Sequence, residues 1–114
     1  MFNVSTARTR IASPGGAVYG SMKGAVEVLS RQMALELGPR RIAVNVVAPG
    51  PVATDFSGGI VRDNPALNKR IAENTALGRA GLPVDLGPMI ASLLSEENHW
   101  VNAQRIEVAG GVAL

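Results

Sequence analysis

Apolar residues recur along this chain with two different periods. Between Ala17 and Leu37 they fall at Val18, Met22, Ala25, Val26, Leu29, Met33 and Leu37, the three-or-four spacing that lines one face of an α-helix. Gly38-Pro39 comes next and predicts a left-handed cap and a stop, because proline cannot continue a helix. Ile42-Ala43-Val44-Asn45-Val46-Val47-Ala48 is β-branched and almost continuously apolar, the pattern of a strand covered on both faces. Pro49-Gly50-Pro51 ends it and opens an irregular stretch, with a short helix expected from Pro65 to Glu73. A second amphipathic helix is expected from about Pro83, with Leu86, Met89, Ile90, Leu93 and Leu94 on one face. A last strand, Ala103 to Val108, is closed by Gly110-Gly111. At the other end, Phe2 to Val4 resembles the tail of a buried strand. Thr6 to Gly16 reads as a loop finishing in the turn-forming Ser13-Pro14-Gly15-Gly16.

Strand, helix, strand, helix, strand is the order of parallel crossover units in an α/β sheet with helices on its faces. No repeat, low-complexity tract or linker interrupts it, so residues 1–114 are expected to form one continuous piece. A parallel sheet of three strands needs cover on both faces and leaves two open edges.

Composition sharpens this picture. Of 114 residues, 46% are hydrophobic and only 18% charged, against about 25% charged in ordinary soluble domains. That excludes a disordered chain. A body this small buries only about two thirds of its extended surface, so either the surface is unusually apolar or part of it is covered by something not in this sequence. The net charge of +2 comes without a basic run, which argues against nucleic acid. No apolar stretch reaches the ~18 residues of a membrane span, and the amino terminus lacks the plan of a secretion signal, so a cytoplasmic location is expected. With no Cys and one His, disulfides and a metal site are not expected.

The candidate chemistry starts with Tyr19 and Lys23, four residues apart at the start of the first helix. That spacing stacks them about one turn apart, where an ammonium favours a phenolate and fits the tyrosine for acid–base work near neutral pH. On spacing alone, a solvated lysine beside a tyrosine is the commoner outcome. The surroundings add Asn3-Val4-Ser5-Thr6, Pro14-Gly15, Tyr19-Gly20-Ser21-Met22-Lys23, Asn45-Val46-Val47-Ala48-Pro49-Gly50-Pro51-Val52-Ala53-Thr54 and the terminal Gly110-Gly111. Together, in this order and spacing, they resemble the short-chain dehydrogenase/reductase family across essentially the whole chain.

The resemblance implies a role for each matching residue. Tyr19 would exchange a proton with the substrate oxygen, and Lys23 would hold the cofactor ribose and favour the phenolate. The hydroxyl that orients the substrate oxygen, normally a serine in the loop after the preceding strand, falls on Thr6, with Ser5 one place earlier as its substitute. Pro49 and Gly50 match the motif after the second strand, the Val52 backbone would meet the nicotinamide carboxamide, and Thr54 would lie near the cofactor. Asp55 to Leu82 corresponds to the variable substrate lid, where Arg62 is either a surface charge or a contact for an anionic substrate. Arg8 and Arg10 lie in the loop near the site. His99 and Trp100 match no family role and are expected to pack as a connector on the sheet edge. The helix stripes are read as core or oligomer contacts, since members of the family commonly pair through these helices.

One family feature has no counterpart in this sequence. No strand is followed by the glycine-rich turn that seats a pyrophosphate on a helix amino terminus, and Gly15-Gly16 leads straight into the Tyr19 helix. The chain therefore resembles the carboxyl-terminal part of a Rossmann-like, doubly wound parallel sheet, without its amino-terminal dinucleotide-binding segment. Two readings follow. One is an NAD- or NADP-dependent oxidoreductase, or its catalytic half, acting on a small-molecule secondary alcohol or ketone as a homo-oligomer or paired with a missing amino-terminal half. The other is an inactive truncated remnant that serves as an interaction or assembly module. In either case the isolated chain is expected to bind NAD(P) poorly.

Overall fold

In the computed structural model, which describes residues 1–114, three parallel strands form one sheet: β1 (Phe2–Val4), β2 (Asn45–Pro49) and β3 (Arg105–Val108). Their spatial order is β1-β2-β3, with Phe2 opposite Asn45 and Val46 opposite Arg105. Helix α1 (Ala17–Leu37) carries the chain from β1 to β2. The turn α2 (Ile60–Asp63), then α3 (Pro65–Glu73) and α4 (Pro83–Leu93), carry it from β2 to β3. The expected α/β architecture with three strands and flanking helices is present.

The core lies along β2, where Val44, Val46, Val47 and Ala48 are fully buried. The continuous apolar run predicted this, but pairing starts later than the run. The Val44 N–H donates to Asn102 Oδ1 at 2.9 Å. Asn45 donates its side-chain amide to the Val101 carbonyl at 2.8 Å and accepts from the Gln104 N–H at 3.0 Å. Two asparagine side chains thus stand in for the first rungs of the ladder. Ala103 turns through a positive φ of 57°, so β3 begins at Arg105 and not at Ala103.

Helix α1 has the expected limits, and much of its apolar stripe faces outward, not onto the sheet. Val18 and Met22 are 78% and 64% exposed, and Ala25 and Leu29 are exposed as well. The side turned to the sheet buries Ser30 and Ala34. Small residues there let helix and sheet approach closely, and Ser30 Oγ accepts from the Asn3 amide at 2.9 Å while donating to the Val26 carbonyl at 2.6 Å. The helix also ends differently. Gly38 keeps right-handed helical angles and Arg41 takes the left-handed position at φ 58°, because a short 3-10 turn through Pro39 continues the spiral.

The lid segment is more regular than its sequence indicates. Asn64 caps α3, its Oδ1 accepting from the Leu67 N–H at 2.9 Å, with Pro65 at the first helical position, both standard helix-start chemistry. Asp85 in the first turn of α4 accepts from the Leu82 N–H at 2.7 Å and from Arg79 at 2.6 and 2.8 Å. The Arg79 guanidinium, then the Leu82 amide, hold its carboxyl down at about 2. After β3, Gly110 and Gly111 have φ of 62° and 76° and pair back onto the segment after α3, Leu77 N–H donating to the Gly110 carbonyl at 3.0 Å. A Cβ on Gly111 would lie 2.8 Å from that of Ala76, so only glycine fits. Trp100 packs on nothing within the chain, being 91% exposed, contrary to the expectation of a sheet-edge connector.

Candidate active site

The carboxyl ends of β1 and β2 and the first turns of α1 converge. Ser5 extends the β1 ladder, its N–H donating to the Val47 carbonyl at 2.8 Å, and Thr6 then caps a single 3-10 turn, Ala7–Thr9. This turn lies against the start of α1: a Cβ at Gly20 would sit 3.6 Å from the Arg8 carbonyl oxygen. Thr6 and Tyr19 are thereby brought to one corner of the molecule by adjoining elements.

Tyr19 and Lys23 lie on one side of α1, with the ammonium 5.9 Å from the centre of the phenol ring. Lys23 Nζ donates to the Val4 carbonyl at 2.9 Å, which ties it to the end of β1 and leaves two of its protons free. The Tyr19 hydroxyl makes no hydrogen bond within the chain, so its proton and lone pairs are open to a ligand.

The two candidate hydroxyls of the β1 loop are both buried, yet they differ in what they have left to offer. Ser5 Oγ donates to Glu27 Oε1 at 2.6 Å, a short charge-assisted bond that uses its only proton. Thr6 Oγ1 accepts from the Arg8 N–H at 3.3 Å and donates to nothing in the chain. Thr6 therefore keeps a free donor.

Across the corner, Pro49 and Gly50 end β2. Gly50 is required by packing: a Cβ there would lie 2.7 Å from the Cβ of Ala109, just beyond β3. The close approach at this glycine is to the neighbouring strand end. Val52, two residues on, forms an isolated parallel bridge to Gly81, and its own N–H and C=O have no partner in the chain. This half-buried peptide thus keeps one free donor and one free acceptor, the hydrogen-bonding complement of a carboxamide. Thr54 Oγ1 accepts from the Phe56 N–H at 3.2 Å and keeps its proton.

Several neighbours of this corner were not evident from sequence. Phe56 lies 6.4 Å from Tyr19, ring centre to ring centre, and is 69% exposed, forming an aromatic wall beside the phenol. Arg62 is engaged with Asp63 at 2.7 and 2.8 Å and with Asp55. Its charge is balanced at the lid, and the hydrogen bonds hold the Asp63 carboxyl below the usual range. Behind the Thr6 loop lies a cluster of Glu27, Arg105, Glu107 and Arg10. One signal for it was legible: Arg105 and Glu107 alternate along β3 and so share a face. Glu27 lies one turn beyond Lys23, on the same side of α1.

A family model described as Enoyl-(Acyl carrier protein) reductase matches residues 1–113. The chain belongs to the short-chain dehydrogenase/reductase family. It is 37% identical over 112 residues to an uncharacterized oxidoreductase of Methylorubrum extorquens, covering 98% of this chain and 45% of that protein. Among solved structures it is similar to the angucycline C-6 ketoreductase LanV with bound NADP, at TM-score 0.88 and 32% identity over 98% of this chain and 42% of the other. It is equally similar to 4-hydroxyisoleucine dehydrogenase complexed with NADH, at TM-score 0.88 and 31% identity, covering 96% and 45%. The chain spans between 38% and 50% of the length of the first curated relatives it matches, corresponding to their carboxyl-terminal portion. The two solved structures hold a nicotinamide dinucleotide, NADP in one and NADH in the other. No helix of the chain is long and apolar enough to cross a membrane.

Proposed function

We propose that this chain is the proton-transferring, carboxyl-terminal part of an NAD(P)-dependent oxidoreductase that interconverts a secondary alcohol and a ketone. The observation that carries the reading is the corner itself, where Thr6 has a spare hydroxyl proton, Tyr19 an unpaired phenol and Lys23 an ammonium one helical turn away. In the direction of reduction, Thr6 donates a hydrogen bond to the substrate oxygen and Tyr19 gives it the phenolic proton. Lys23 stabilises the phenolate left behind. A bound reduced nicotinamide supplies the hydride to the carbonyl carbon, so the C=O bond becomes an alcohol with one hydride and one proton gained. Lys23, Thr54, the Val52 peptide and the Pro49-Gly50 turn that presents it would hold the nicotinamide end. The ion-paired Arg62 and the exposed Phe56 ring favour a neutral substrate with an apolar face over an anionic one.

The adenine-side contacts of such a cofactor belong to a segment with no counterpart here, so the chain alone binds nicotinamide dinucleotides weakly. Isothermal titration with the four oxidised and reduced forms checks this, and micromolar affinity would contradict it. Activity is tested by supplying the chain with a nucleotide-binding half from a relative and reducing a cyclic ketone with NADH or NADPH deuterated at the transferable position. One deuterium per alcohol formed is expected, and alcohol without deuterium would overturn the reading.

A second reading, an assembly module without chemistry, is favoured by the unpaired edge of β1 and the exposed apolar side of α1. It predicts self-association or pairing in sedimentation together with no turnover in the supplemented assay.

A further inference from the structure

Glu27 sits where the chain would gain most from an apolar residue, in the middle of α1 against the sheet, and only 15% of its side chain is exposed. One oxygen, Oε1, receives three donors: Ser5 Oγ at 2.6 Å, Thr9 Oγ1 at 2.8 Å and Arg105 Nε at 2.9 Å. Burial pushes its carboxyl up, but the bonds from Ser5, Thr9 and Arg105 outweigh it and hold the group below the usual range. Arg105, 28% exposed, is the hinge of the cluster. It reaches Glu27 through Nε and Glu107 through one terminal nitrogen at 2.9 Å, and with the other it meets the Thr6 carbonyl at 3.2 Å and Thr9 Oγ1 at 3.0 Å. Glu107 is itself held by Arg10 at 2.6 Å. Two carboxylates and two guanidinium groups balance, and apart from the Arg105–Glu107 pair within β3 the bonds of the cluster join β3, α1 and the β1 loop.

The point where these bonds meet is the Thr6 loop. Ser5 before it and Thr9 after it are fixed to Glu27, and the carbonyl of Thr6 is fixed to Arg105. Of the three hydroxyls at the loop, those of Ser5 and Thr9 donate within the chain and only that of Thr6 is left without an acceptor. A cluster serving only to hold the sheet together has no reason to converge on the residue whose side chain it leaves free. We propose that Glu27 and Arg105 are positioning residues that clamp the β1 loop and so aim the Thr6 hydroxyl at the substrate oxygen shared with Tyr19. The clamp is a property of this chain, and its catalytic consequence rests on the oxidoreductase reading above.

The first test needs no turnover. Glu27→Gln keeps the shape of the side chain and removes the charge that orders the donors. Amide hydrogen exchange on the full chain should quicken at Thr9, Arg10 and Ile11, whose N–H groups bond to the Thr6 and Ala7 carbonyls, by roughly tenfold or more, with the amides of β2 unchanged. Quickening shared equally by β2 would mean a general loss of stability and would overturn the clamp, as would no change at all. The second test is a double-mutant cycle in the supplemented enzyme. Glu27→Gln should lower kcat by roughly tenfold to a hundredfold, the scale of a small misplacement of a catalytic group, with KM for the nicotinamide held. In a Thr6→Ala background the same change should cost little more. Additive losses would overturn the positioning role. Absence of turnover in the unaltered protein would strike the oxidoreductase reading and leave the clamp to be decided by exchange.

Discussion

The division of labour between Ser5 and Thr6 shows how little separates a structural hydroxyl from a functional one. Both are buried at the end of the same strand, and sequence alone offered either for the same task. What distinguishes them is where the proton goes: Ser5 spends its proton on Glu27, and Thr6 keeps its own. Ser5→Ala should therefore lower the melting temperature, leaving a half-buried carboxylate with one donor fewer at a cost of about 1–3 kcal/mol. Thr6→Ala loses only the long 3.3 Å cap bond from the Arg8 N–H, so it should lower the melting temperature less than Ser5→Ala while removing most turnover in the supplemented enzyme. Thermal melts and steady-state rates on the two variants check this, and the reverse pattern would show Ser5 to be the working hydroxyl. Tyr19 and Lys23 were legible because helical spacing is a fixed geometry. For the third member the family resemblance pointed to Thr6 with Ser5 as substitute, and the physical difference between them was hidden because it depends on Glu27, which is remote from the loop in sequence.

Element limits were read well where local chemistry sets them, as in α1, α3 and β1, and less well where distant side chains do. The ladder between β2 and β3 starts late because Asn45 and Asn102 bond to each other's strands, contacts no local pattern encodes. The orientation of α1 stayed open between core and oligomer contact because apolar spacing marks a face without saying what lies against it. Here the sheet side is built from Ser30 and Ala34, and the apolar stripe faces outward. Two glycines separate local from tertiary demands. Gly24, in the middle of α1, has open space where a Cβ would stand, so Gly24→Ala should stabilise the chain by about 1 kcal/mol through helix propensity. Gly50→Ala would force β2 against Ala109 and should cost about 1–3 kcal/mol. Chemical denaturation of both variants gives the signs, and equal effects would contradict the packing described. The charged cluster linking α1 to β3 also sets an acid limit. Glu27 and Glu107 are held below the usual carboxylate range in the folded chain. Below about pH 4.3 the unfolded chain therefore takes up protons that the folded chain refuses. Their contribution is complete above that pH and is lost as pH falls through the folded values. Melts across this range should show stability rising with pH, with a shallower slope in Glu27→Gln. An unchanged slope would remove Glu27 from the cluster's energetics.

At the scale of the whole molecule, the excess of apolar residue over available core takes a definite form. Only 14 of 114 residues are buried, β1 has one unpaired edge, and α1 exposes Val18, Met22, Val28, Leu29 and Leu35. On the reading proposed above, a chain matching the carboxyl-terminal portion of its relatives holds the proton-transfer corner and the nicotinamide-side loop of a larger site, and Tyr19 delivers the proton there. The most direct measurement takes a nucleotide-binding half that is inactive alone and adds either this chain or its Tyr19→Phe variant, following ketone-dependent oxidation of NADH or NADPH. The unaltered chain should restore turnover, and the variant should restore at least about a hundredfold less while binding the nicotinamide as well. Equal restoration by both chains would contradict the account.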